Sequence, residues 1–462
     1  MLIRSRRDFI KAAVTSVGAL GAFAKLGEMN ALASTSAQYQ ALVCIYMSGG
    51  NDGHNMVIPI NTYCQSSQKP QNYSDYAAAR GNLAQPLSSL QSPINNGNDV
   101  YGLHPSMPEI AALYTAGNAA ILANVGMLVQ PTTRQIFQSN NLALLPAQLF
   151  SHSDQTNQWQ SAIPNGTSPT GWGGRVEDNL YSQYNAKENF TSITSTSGCG
   201  LFCTGQQTFA ATVPVGGASL LQGATTQSRL TAVQNLMQFS NGLKLVQAAN
   251  TTFNNGLGFS QSLNNALKSV KLTSAFPSSL LGQQLQTVAE IISIQQALGV
   301  NRQIFFCQLG GFDTHGAQLG TQDPLLQQLS QAIGAFYNCL SKEVGQDKNT
   351  ITFTASEFGR TLQPNGNAGT DHAWGSHHLI IGTGSNNGGP LYGGQIYGQF
   401  PSLILNGPDD ANTRGTLVPT TSVDQYAATL AQWFGVAPGN VNGIFGNVHN
   451  FTTNNLGFLN LS

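Results

Sequence analysis

Charge is what this chain lacks most. Asp, Glu, Lys and Arg make up 8% of its 462 residues, where roughly 25% is usual. The 19 basic and 20 acidic residues leave a net charge of −1. Without a basic surplus there is little to condense on a phosphate backbone, which argues against a nucleic-acid partner. No block of like charge appears either, and 41% of the residues are hydrophobic, so the composition is not that of a solvated, disordered polymer. Long apolar runs are missing too. Past the N-terminus no stretch approaches the roughly 18 apolar residues that a membrane span needs, so no span is expected in the mature chain.

Glycine is plentiful, at 50 residues. Cysteine is sparse, at six. Cys44, Cys307 and Cys339 lie in apolar runs and read as buried thiols. Cys199 and Cys203 flank a short Gly-Leu-Phe loop, where a local disulfide is expected in an oxidising compartment. Cys64 has no evident partner.

The first 33 residues read as an address. Ser5-Arg6-Arg7-Asp8-Phe9-Ile10-Lys11 follows the twin-arginine export pattern, a weakly apolar stretch comes next, and Ala31-Leu32-Ala33 reads as a cleavage site. The expectation is a folded protein handed to the twin-arginine translocase, cleaved near Ala33, and delivered to the periplasm or secreted.

The rest alternates. Continuous apolar runs at 40–47, 119–125, 303–309 and 350–355 predict strands buried on both faces, with a fifth beginning at 378. Helical periodicity is seen at 106–116, 229–249, 280–298, 324–344 and 423–434. Residues 127–226 read as an irregular excursion from one domain spanning 34–462. Alternation of this kind predicts an α/β fold, with a mainly parallel sheet between two helical layers.

In so neutral a chain, the few charges and histidines are informative by position. Gly49-Gly50-Asn51-Asp52-Gly53-His54 follows the first strand, Gly310-Gly311-Phe312-Asp313-Thr314-His315-Gly316 the third, and Ser356-Glu357-Phe358-Gly359-Arg360-Thr361 the fourth. Thr370-Asp371-His372-Ala373-Trp374-Gly375 precedes the fifth. Open α/β sheets bind ligands beyond the carboxyl ends of their strands, so these clusters can share one crevice. Carboxylates and imidazoles together suit a divalent metal: Asp52, Asp313, His315, Glu357 and His372 are the candidate ligands, for Zn, Mg, Mn or Ca. The bland reading is that an Asp after a strand caps the next helix. Ser151 and Ser153, in Ser151-His152-Ser153-Asp154-Gln155, are candidate nucleophiles at a helix N-terminus, or else ordinary caps. Arg360 is a candidate clamp for an anionic oxygen, or a structural ion pair. No G-x-S-x-G elbow is present, which weakens a metal-free serine esterase as a third reading.

In their order, these motifs, with Gly171-Trp172-Gly173-Gly174-Arg175 among them, resemble the exported bacterial family called domain of unknown function 1501. That family is placed near the alkaline phosphatase and sulfatase superfamily. The resemblance implies a three-layer α/β/α sandwich with a metal-dependent hydrolase site for a small anionic phosphate or sulfate ester. It would make Asp52 a metal-bridging carboxylate, Ser151 or Ser153 the nucleophile, Asp313 with His315 a ligand pair, and His372 a further ligand. Glu357 is followed by Phe358 where the superfamily has an Asp-His pair, so one histidine ligand is missing from that motif. The alternative from another class is a non-catalytic periplasmic or surface binding protein on a degenerate scaffold.

Overall fold

Strand and helix positions follow from where apolar side chains can be buried on two faces or on one. The computed structural model describes residues 38–461, apart from 92, 186–189, 199, 217–225 and 240–241. The expected twin-arginine leader and Cys199, and with it the expected Cys199–Cys203 pairing, lie outside the described residues. The strands are Gln40–Ser48 (β1), Val57–Cys64 (β2), Lys69–Asn72 (β3), Ile94–Asn96 (β4), Asp99–Leu103 (β5), Ala119–Gly126 (β6), Ile193–Ser195 (β7), Ala211–Thr212 (β8), Arg302–Gly310 (β9), Thr350–Ala355 (β10), Ser376–Ile381 (β11), Ile396–Tyr397 (β12) and Thr421–Ser422 (β13). The main helices are Tyr73–Arg80 (α1), Pro108–Thr115 (α2), His152–Ser161 (α3), Trp172–Tyr184 (α4), Gln227–Leu236 (α5), Lys244–Leu267 (α6), Leu280–Ser293 (α7), Gln318–Cys339 (α8) and Val423–Phe434 (α9).

One large sheet runs β12-β6-β11-β10-β1-β9-β7-β8, with β13 also on β6. Its pairs are parallel except those that β11 makes with β10 and β6. Side chains alternate along a strand, and β1 sorts its apolar residues accordingly. Ala41, Val43, Ile45 and Met47 face a core closed by α2, α7 and α8. Leu42, Cys44 and Tyr46 face a second core closed by α4 and α9. The fold is thus a three-layer α/β/α sandwich around a mainly parallel sheet.

Two expectations needed correction, and one sheet was not expected. Residues 127–226 are not simply irregular, because they contain α3, α4, β7 and β8. The helix read at 229–249 is two helices, α5 and α6. They part near Gly242, whose φ of +76° a helix cannot take. A second, antiparallel sheet, β3-β2-β5-β4, follows the first site motif. Against it packs α1, which starts at a capping box formed by Asn72 and Asp75.

Buried carboxyls are part of the same core. Asp424 lies in the first turn of α9 with no exposed surface, and its Oδ1 has no partner. Burial pushes its pKa up to about 7, outweighing the Ser422 hydroxyl and Arg175. A carboxyl raised on folding adds stability while protonated, and that stability is lost as pH climbs from about 4 towards 7. Asp424→Asn is therefore expected to gain stability over wild type between pH 5 and 8. Urea midpoints of both proteins at the two ends of that range check this. An unchanged difference would mean the carboxyl ionises freely.

Candidate functional site

The carboxyl ends of β1, β9 and β10 open on one side of the sheet, and the chain turns there on glycine. Gly49 has a φ of +116°, and a Cβ on it would stand 2.3 Å from the Asp313 backbone nitrogen. Only glycine lets the turns after β1 and β9 touch. That contact brings Asp313 and His315 beside the turn after β10, which carries Glu357 and Arg360. A short antiparallel ladder adds the last element. Arg360 bridges to His372, and the Gly359 and Thr361 N–H groups donate to the Trp374 and Asp371 carbonyls at 2.9 Å each.

Four donor atoms converge. His372 Nε2 lies 3.0 Å from His152 Nε2 and 2.9 Å from His315 Nε2. Asp313 Oδ1 is 3.5, 3.1 and 3.5 Å from the Nε2 atoms of His152, His315 and His372. His152, Asp313 and His372 form a set whose donor atoms all lie within 4.8 Å of one another. Two ligands of a tetrahedral zinc ion, each about 2.0–2.1 Å from the metal, stand about 3.4 Å apart, so the spacing fits a cation.

The second ring nitrogens fix the tautomers. His372 Nδ1 donates to the Phe150 carbonyl at 2.8 Å, which can only accept. His152 Nδ1 is 2.9 Å from Glu357 Oε1, and His315 Nδ1 is 3.3 Å from Asp371 Oδ1. With protons on Nδ1, the three Nε2 atoms present lone pairs around Asp313 Oδ1, each within 3.5 Å of it, and a cation there would offset their repulsion. Imidazoles oriented by carboxylate and carbonyl oxygens are the usual surround of a metal ligand.

Electrostatics match. Burial works against the Asp313 carboxylate, but the hydrogen bond and charge of Arg360 prevail and hold its pKa below the usual range. Burial is likewise overcome at Asp371, whose pKa is lowered by Asn365 and Arg414. His372 is lowered by burial first and then by the Arg360 charge, so it stays neutral and able to ligate. The Asp313 and His315 side chains are about half exposed, at 49% and 46%, leaving the cluster open to solvent.

Asp313, His315 and His372 thus meet in one cluster. The other predicted site residues have different roles. Asp52 is sealed in. Its side chain is wholly buried and ion-paired with Arg80, and it accepts from Gln318 Nε2 at 2.5 Å and the His54 N–H at 3.1 Å. It therefore stands outside the converging set, because a guanidinium already neutralises it. Glu357 acts one step back: its Oε1 holds His152 and the Gly49 N–H, at 2.9 and 2.8 Å. Arg360 is no free clamp. It is fully buried, and its N–H groups donate to the Gly49, Gly50 and Thr370 carbonyls and to Asp313. Ser151 caps α3 and donates to Asp154 Oδ2 at 2.5 Å, while Ser153 Oγ donates to the same oxygen at 3.3 Å.

His152 is the residue that sequence reasoning passed over. Its ring packs on Phe358, centroids 4.7 Å apart. It brings an imidazole from the start of α3 to the Glu357 carboxylate and to His372. Its only signal in the sequence was a histidine among possible caps.

The family model described as "Protein of unknown function (DUF1501)" matches residues 39–423, and the chain belongs to that family. None of the curated proteins matches it. Among solved structures, one is Ps i-CgsB in complex with k-i-k-neocarrahexaose, 11% identical, with a TM-score of 0.35 over 90% of this chain and 75% of that one. Another is the PsFucS1 sulfatase from Pseudoalteromonas sp., 11% identical, TM-score 0.31, covering 87% and 74%. A third is the phosphonate monoester hydrolase of Agrobacterium radiobacter, 8% identical, TM-score 0.34, covering 87% and 77%.

Proposed function

We propose that this family member is an exported, metal-dependent hydrolase-like protein that holds one divalent cation and acts on phosphate or sulfate esters. The observation that carries the reading is the gathering of the His152, His315 and His372 Nε2 atoms within 3.5 Å of Asp313 Oδ1. A set rich in imidazole nitrogen suits Zn or Mn better than Mg or Ca, which prefer oxygen shells. Once bound, the metal would polarise an ester oxygen as a Lewis acid. The chain's own residues do the positioning. Arg360 holds Asp313; Glu357, Asp371 and the Phe150 carbonyl hold the three rings. The ester class rests on the motif set, and export on the twin-arginine pattern.

One observation favours a second reading, a non-catalytic binding protein on the same scaffold. Ser151 and Arg360, expected as nucleophile and clamp, are committed to capping and to backbone carbonyls.

Metal titration of the purified mature chain, followed by assays on aryl phosphate and aryl sulfate, separates these readings. The hydrolase reading expects one bound equivalent of Zn or Mn, with turnover lost on chelation and restored by metal. Glu357→Gln is expected to weaken metal affinity about 10- to 100-fold while the fold persists. Bound metal with neither ester cleaved supports the binding protein; no bound metal sinks the hydrolase reading.

A further inference from the structure

The short segment 360–363 has a neighbour on each edge. On one edge it pairs with Asp371 and His372, as described above. On the other, the Leu362 and Gln363 N–H groups donate to the Gly415 and Arg414 carbonyls, at 3.1 and 3.0 Å. Gly415 has a φ of +80°, and a Cβ on it would stand 2.2 Å from Leu362 Cβ, so this approach too requires glycine. The loop leading to it is pinned by one buried carboxylate. Asp410 accepts the Asn406, Asn412, Thr413 and Thr416 N–H groups at 2.8, 3.2, 3.1 and 3.1 Å. The backbone beneath Arg414 is therefore fixed beside the metal-fitting cluster.

Its side chain is far less committed than that of Arg360. Arg360 is sealed in, with its N–H groups on backbone carbonyls and Asp313. The Arg414 side chain is 41% exposed, and among the described residues its guanidinium has one contact, Nη1 to Asp371 Oδ2 at 2.7 Å. An arginine carries five N–H donors in a planar fork that matches two oxygens of one oxyanion. The cluster also opens on this side. Glu357 and His372, on the inner side, are 3% and 24% exposed. His315 and Asp371, on the outer side, are 46% and 35% exposed. Asp371 is what joins the two, with Oδ1 3.3 Å from His315 Nδ1 and Oδ2 on Arg414. An exposed ion pair by itself adds little stability. A pinned loop that holds a mostly unused guanidinium at the mouth of this cluster suits a ligand of opposite charge.

Resting on the ester reading above, we propose that Arg414 binds the oxyanion of the ligand, at the His315 side of the cluster. Part of its fork turns from Asp371 to the phosphate or sulfate oxygens. Asp371 stays in place meanwhile, because Asn365 Nδ2 also donates to it at 3.0 Å.

Isothermal titration of the full mature chain with inorganic phosphate and with sulfate, with and without zinc, tests this. Arg414→Gln is expected to weaken anion binding about ten-fold or more, the effect of one charge-assisted contact. Its zinc affinity and melting temperature should stay close to those of wild type. Arg414→Lys keeps the charge without the fork and is expected to recover only part of the loss. The proposal is overturned if Arg414→Gln binds both anions as wild type does, or if wild type binds neither at millimolar concentration. It is also overturned if zinc affinity falls by the same factor, which assigns Arg414 to holding Asp371 and His315. Failure of wild type to take up zinc counts against the hydrolase reading alone. The metal-free titration then decides on Arg414, and an anion affinity there that ignores the substitution overturns the proposal.

Discussion

His372→Ala is expected to reduce metal affinity by more than about 100-fold, beyond what loss of an orienting neighbour costs. Its Nε2 is the common neighbour of the other donors, at 3.0 Å from His152, 2.9 Å from His315 and 3.5 Å from Asp313. Without it, His152 and His315 keep only Asp313 Oδ1 as a shared neighbour. Isothermal titration with zinc reads the loss directly. Stability without metal should change little, because the ring is partly exposed and its one fixed bond is to the Phe150 carbonyl. Affinity within a few-fold of wild type would place the cation elsewhere.

Asp52→Ala is expected to have the opposite signature, a large loss of stability with or without metal. The change leaves the Arg80 guanidinium fully buried, still bonded to the Thr361 and Leu362 carbonyls at 3.1 and 3.0 Å, but with no countercharge. Breaking one side of a buried pair costs about 3–5 kcal/mol, a large share of a typical total of about 5–15 kcal/mol. The Gln318 amide and the His54 N–H lose their acceptor too. Adding Arg80→Met should recover part of the loss, as a coupled pair does in a double-mutant cycle. If Asp52 were a ligand, Asp52→Ala would instead lower metal content and leave the unfolding midpoint of the metal-free protein unmoved.

These two residues show what the sequence could reveal. Both follow or precede a strand in a Gly-flanked motif, and both read as ligands. The strand ends were legible because runs such as Leu42–Tyr46 are buried on both faces and need no partner information. His372, Asp313 and His315 were legible because glycine turns placed them at those ends. Asp52 was misread because its partner, Arg80, arrives on α1, and α1 is positioned by the small antiparallel sheet. That sheet's short strands leave no strong periodic signal. His152 was missed because its role depends on Glu357 and His372, more than 200 positions away, while its neighbours Ser151 and Asp154 are an ordinary cap. Local pattern reports turns and faces; it does not report which distant side chain has already neutralised a charge.

The shared contact at Gly49 has a kinetic side. The donors come from positions 152, 313, 315 and 372, and they meet only when the turns after β1 and β9 touch and the ladder beside Arg360 has closed. The contact at Gly49 and the meeting of His152 with the others join distant parts of the chain, the kind that forms slowly, while the ladder beside Arg360 is local. On the proposed metal-binding reading, capture of the cation would be a late event in folding, and the moment at which a refolding chain first takes up metal would mark completion of the sheet edge.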